Sequence, residues 1–266
     1  MPALTVLLLG FVYPWSGQPL VERFAAPPGF VRVAVGAQSF GAWLRALPLL
    51  PPETPVLSYR GQLVRAGDDE HVAAVAALDV GTRDLQQCAD SIVRLHAEWR
   101  WARGRRDHSY QSAEGVALPF TRFLAGERVV ERDHTLIWQP RPGGSAAQAP
   151  THAAFRRYLD LVFTWANTGS LAAQARRVPL SELLPGDLLV LPGAPGHAVL
   201  VLDVAATSDG RRVALIGQGF MPAQSFHVLR PARGSPWFAI DPAAPGLQTP
   251  FWPAVFPWSS LRRLPD

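Results

Sequence analysis

Three apolar runs at 188–191, 198–204 and 213–217 limit the fold of this chain more than any other feature. The first two read as strands, and the third returns after the turn signal Ser208-Asp209-Gly210. Joined by short turns, they predict an antiparallel sheet that needs a helical cover. Leu85, Cys88, Ala89, Ile92, Leu95 and Trp99 supply it, because their intervals of three and four residues trace one face of a helix of about five turns. One central helix packed on an antiparallel sheet, with other helices around it, is an α+β architecture.

The chain has 266 residues, 48% hydrophobic and 17% charged, which is the balance of a folded protein with a sizeable core. With 26 prolines and 22 glycines, long and numerous loops are expected between its elements. The division expected is an N-terminal extension over 1–60, with short strands and a helix, and a core over 61–266 with a strand-rich C-terminal tail. The formal charge is +4, and every basic residue other than histidine is arginine, a composition typical of GC-rich coding. The arginines between 94 and 106 crowd the end of the predicted helix, where cations favour its dipole. They read as a solvated helix end rather than a nucleic-acid surface, so no nucleic-acid partner is expected.

The single cysteine excludes an internal disulfide and any multi-thiolate metal site. The histidines are scattered without metal-ligand spacing, and no phosphate loop occurs, so no metal or cofactor is expected. The apolar run at 4–12 is too short to span a bilayer, and no transmembrane segment is expected. The run lacks the basic start and the cleavage site of a secretory signal, which leaves export to the cell envelope open.

Along the chain, 30–35 alternates as a short strand, and Ser39 caps a helix over 40–47. A strand over 56–59 follows, then an apolar strand over 72–80 that delivers the chain to the helix, with Thr82 or Asp84 as its N-cap. A loop over 140–145 precedes an amphipathic helix over 151–166. Short strands are expected near 227–229, 237–240 and 261–264.

Two resemblances follow from the residues. The stretch Leu183-Leu184-Pro185-Gly186-Asp187-Leu188-Leu189-Val190, followed by Gly196-His197-Ala198-Val199-Leu200-Val201, resembles the central strands of NlpC-type papain-like cell-wall peptidases. In that family the general-base histidine opens the second of those strands. The resemblance implies a papain-like core with Cys88 as nucleophile and His197 as base, acting on an amide bond in cell-wall peptides. The stretches Gln86-Gln87-Cys88-Ala89-Asp90 and Gln218-Gly219-Phe220-Met221-Pro222-Ala223-Gln224 resemble a bacterial family known only as a domain of unknown function, over most of 10–240.

The chemistry can be read beside the resemblance. A thiolate nucleophile needs a thiol pKa well below about 8.5, and a helix N-terminus beside an imidazole lowers it. Cys88 lies early in its helix, but Gln87 and Ala89 stand where NlpC-type enzymes carry an Asp and a small polar residue. Gln86 or Gln87 could offer a side-chain amide to an oxyanion or substrate. Gln218 could orient His197, as the amide does in Cys-His-Asn enzymes. That depends on register: one hairpin sets Gln218 opposite His197, the other opposite Val201. Asp203 is excluded as orienting group, since six strand residues separate it from His197 by roughly 20 Å.

The rival reading is non-catalytic. Cys88 on an apolar stripe is equally a small core residue, and His197 and Gln218 could serve only the backbone around them. The nine tryptophans, several beside proline, could then line a groove for a peptide or glycan, or plug the ends of the core. A peptide or glycan-peptide partner fits both readings.

Overall fold

A computed structural model describes residues 15–141 and 147–266. The expectations for 4–12 and for 142–145 lie outside the described residues. The chain is a mixed α/β structure whose strand pairs, among the described residues, are all antiparallel.

Its centre is a nine-stranded sheet. Strand Leu188–Leu191 pairs with His197–Ala206, that strand with Arg212–Gln218, and Arg212–Gln218 with His227–Leu229. Val72–Val75 closes one edge beside His227–Leu229, and Arg176–Arg177 closes the other beside Leu261–Arg263. Phe238–Ile240 adds to Arg212–Gln218 from the side, and Val31–Arg32 to His197–Ala206.

Side-chain alternation splits the core in two. Leu188, Val190, Ala198, Leu200, Leu202 and Leu215 face the helix that runs Cys88–Ala102. Leu189, Val199, Val201, Ala214 and Ile216 face the opposite side, where Leu247 and Phe256 cover them. Ile92, Leu95 and Trp99 are fully buried between helix and sheet. Each contributes about 1.5–3 kcal/mol by leaving water.

Every residue from Cys88 to Trp99 is buried, so the helix is enclosed on all sides rather than on one stripe. Arg94 therefore turns inward, and the expected solvated end is confined to Arg103 and the residues after it. Helix His152–Trp165 adds a layer, with Phe155 stacked on Trp101 at 4.6 Å.

Several boundaries differ from expectation. The Cys88 helix starts at Cys88, with Gln87 as N-cap instead of Thr82 or Asp84. Gln87 and Asp90 bond each other's backbone reciprocally, which satisfies two free amides of the first turn. Asp84 instead accepts from Gln87 Nε2 and from the Ala223 amide. The strand expected over 72–80 ends at Val75, because Ala76 and Ala77 donate to Phe226 and Pro48 outside the ladder.

The hairpin adopts neither of the two anticipated registers. Leu200 opposes Gly217 and Val201 opposes Ile216, and an irregularity then shifts the pairing before Asp203. Continued by one pair, the register sets Gln218 beside Val199, so His197 is its diagonal neighbour on the same face. Asp203 is held elsewhere, between Arg32 at 2.6 Å and Arg45 at 2.8 Å.

Candidate functional site

His197 opens its strand and Gln218 ends the next, and both side chains are fully buried. His197 Nε2 lies 2.7 Å from Gln218 Oε1. On the far side of Gln218, its Nε2 lies 3.3 Å from His227 Nε2. His227 is the cross-strand partner of Gln218, and its Nδ1 lies 3.0 Å from the Ser225 carbonyl.

These contacts assign the protons. A carbonyl only accepts, so His227 carries its proton on Nδ1 and has a lone pair at Nε2. Gln218 donates its amide to that lone pair and turns its carbonyl towards His197. His197 therefore donates from Nε2 and bears its lone pair on Nδ1. That Nδ1 is buried and hydrogen-bonds to nothing, the Cys88 thiol included. Its ring is walled by Phe220 and Trp252, each with centroids 4.8 Å away, and by Phe256.

Burial lowers His197 to about 4, against the opposing pull of the Gln218 hydrogen bond. Burial likewise lowers His227 to about 4, with the Ser225 carbonyl pulling the other way. Both rings are neutral at pH 7. Trp252 and Phe251 belong to one covering segment, which leaves Trp252 Nε1 and Thr249 Oγ1 buried without partners. Phe251 stands at φ 69° and its ring lies edge-on, 6.2 Å from that of His227. Left-handed backbone at a bulky residue is held in place only by its surroundings.

Cys88 is the first residue of its helix and packs in the cluster that contains Ala198, Leu200 and Leu202. Burial pushes its thiol up to about 11, helped by the nearby Asp90 carboxylate. The nearby amides of Ala89, Ala198 and Cys88 pull the other way. The sulfur thus abuts the residue next to His197. The alternation of the strand sends the His197 ring to the side of Val199 and Val201. Gly219 is what admits the helix end here: a Cβ on it would clash with Ser91 Oγ and lie 2.8 Å from the Gln87 carbonyl.

The remaining predicted residues have partners of their own. Gln86 donates to the Asp79 carbonyl and accepts from Arg94, and Gln87 donates to Asp84. Both amides are therefore engaged with the scaffold. His227 was missed from sequence, where it is one of several scattered histidines. The available signal was its position at the start of a short strand, a loop's length after Gln218. Among the described residues no group of three metal-ligating side chains gathers. A cavity of about 490 Å³ opens elsewhere, between Ser39, Phe40, Trp99 and Arg263, and none of Cys88, His197 and Gln218 lines it.

The fold and this buried His-Gln-His array define a mixed α/β domain with a polar chain at its strand ends. The chain belongs to the family described as Domain of unknown function (4846), whose model matches residues 20–263. No curated protein and no solved structure matches it.

Proposed function

We propose that this protein is a thiol hydrolase of amide bonds, built on a papain-like core of the NlpC type. The observation that carries the reading is the one-way hydrogen-bond chain ending in a bare Nδ1 on His197, the residue before the amide that contacts the Cys88 sulfur. A general base needs a free lone pair in a fixed tautomer, and this chain supplies one.

In the reaction, His197 Nδ1 takes the Cys88 proton as sulfur bonds to the carbonyl carbon. The imidazolium then gives that proton to the leaving nitrogen as the C–N bond breaks. Water, deprotonated by the same Nδ1, hydrolyses the thioester and restores the thiol. Gln218 orients the ring, and the Cys88 amide is a donor for the oxyanion. The substrate class suggested by the NlpC resemblance is a cell-wall peptide. Access to Nδ1 requires Trp252 and Phe220 to move aside, and the proton transfer requires the His197 ring to turn from the Val199 and Val201 face of its strand to the Cys88 face.

One observation favours a second reading. The thiol is buried and pushed up to about 11, as suits a core cysteine in a non-catalytic peptide- or glycan-binding protein. Iodoacetamide labelling of Cys88 against pH separates the two. The hydrolase labels in the native state below pH 8.5 or so, faster in Trp252→Ala and far more slowly in His197→Ala. Labelling only after denaturation overturns the hydrolase and leaves the binding protein.

A further inference from the structure

We infer that His227 is a positioning residue that fixes, through Gln218, which nitrogen of His197 carries the lone pair. The inference takes its catalytic meaning from the hydrolase reading, but its geometry stands without it. A glutamine alone cannot set the tautomer of a histidine. Its amide can turn over, offering oxygen in one state and nitrogen in the other, and each state selects the opposite tautomer of the ring it faces.

Here the second side of Gln218 decides. The flipped amide would present its oxygen to His227 Nε2, which would then need a proton there. With Nδ1 aimed at the Ser225 carbonyl, a neutral His227 cannot meet both demands. Its Nδ1 lone pair would face the carbonyl oxygen at 3.0 Å. Only a doubly protonated ring could serve both acceptors, and burial opposes that charge. The charged groups that act on His227 from neighbouring segments are Arg65, which disfavours the cation, and Asp69, which favours it. The Ser225 carbonyl is thus the fixed end of the chain, His227 converts it into an acceptor, and Gln218 passes that polarity to His197.

Register makes the arrangement rigid. Gln218 and His227 are direct Cα partners, and His227 is paired on its other side with Val75. His197 reaches Gln218 from the adjacent strand. Three consecutive strands therefore contribute one side chain each, all buried.

The test is ring-nitrogen NMR of the full chain, with histidine labelled in 15N and read at neutral pH. Signals are assigned in the wild type by correlating each ring with its own backbone amide. In the wild type His197 is expected as the Nε2–H form with a bare Nδ1, and His227 as the Nδ1–H form with a bare Nε2. In His227→Leu the released Gln218 amide turns, and an Nδ1–H form of His197 appears. A wild-type His197 protonated on Nδ1, or a His227 protonated on Nε2, overturns the inference whether or not any variant folds. So does a folded His227→Leu protein whose His197 remains wholly Nε2–H. No substrate enters this measurement. Native thiol labelling can therefore fail while the tautomers stand, which removes the hydrolase alone. The reverse outcome, native labelling with His197 protonated on Nδ1, removes the role of His227 and of Nδ1 as the base, while the thiol hydrolase stands.

Discussion

Two buried polar chains run through this molecule, and they end differently. On the Cys88 helix, Arg94 donates to Glu98 at 2.9 Å, to Gln86 at 2.9 Å and to Asp79 at 2.8 Å. Glu98 accepts in turn from His152 at 2.9 Å. Arg94 is 1% exposed and Glu98 2%, and neither keeps an unpartnered atom. In the sheet, the chain from Ser225 through His227 and Gln218 is saturated at every link until His197, where a lone pair is left bare. A closed network of this kind secures a helix against its neighbours. A chain that is satisfied everywhere except at one basic nitrogen has a group in reserve, and burial alone would not have distinguished the two.

Acid should strain the open chain most. His197 and His227 titrate near 4 when folded, against an ordinary value of about 6.5. As the pH falls the unfolded chain binds these protons first, so stability is intact above about 6.5 and is lost between there and 4. Each unit of separation is worth about 1.4 kcal/mol. Buried His96, lowered to about 3, and His108, lowered to about 4, act in the same direction. Asp90 opposes them, since burial raises it to about 8 and its contribution fades as the pH rises towards that value. Urea midpoints taken every half unit should fall steeply below pH 6.5, and less steeply in His227→Leu. A flat profile down to pH 4 would contradict the burial of these rings.

The closed network is the next test. Glu98→Ala leaves the Arg94 guanidinium buried beside an empty space, a loss expected to cost about 3–5 kcal/mol. Gln218→Leu removes the link between two neutral rings and should cost less, about 1–3 kcal/mol. Equilibrium urea unfolding of both variants checks the order. If Gln218→Leu proves the more costly, the sheet chain is a structural network like the first, and its bare nitrogen loses its significance.

The sequence made one chain half legible and concealed the other. The order of His197 and Gln218 on successive strands could be read from apolar runs and a turn signal. Their bond could not, because it depends on a register shift between Val201 and Asp203 that no residue type announces. His227 stayed hidden because its pairing with Gln218 requires the loop through Ala223 to fold back, and Asp84, from far upstream, binds the Ala223 amide. The helix itself was plain from its spacing. Its cap was not, since glutamine is seldom the N-cap and acts here only through its reciprocal bond with Asp90. Arg94 read as part of a solvated helix end, an inference from charge that fails once a helix is enclosed on every side.

The smallest expected effect bears on the thiol itself. Asp90 raises Cys88 through its charge, yet it also caps the helix by accepting from the Gln87 amide at 3.2 Å. Asp90→Asn keeps an oxygen for that amide and removes the charge, so the helix end stays in place while one of the two causes that raise the thiol disappears. At a fixed pH below the thiol pKa, the thiolate fraction grows tenfold for each unit the pKa falls. Thiolates of lower pKa are weaker nucleophiles, which offsets part of that gain. A rise of about two- to fivefold in the iodoacetamide rate is therefore expected at pH 9.5, where Asp90 is ionised and the thiol is not, with urea stability nearly unchanged. The sign separates charge from access. If the rate does not move, burial alone limits Cys88, and the thiol waits on the opening of its cover. If it rises as expected, the sulfur responds to charge within the folded state, as the nucleophile of the proposed reaction must.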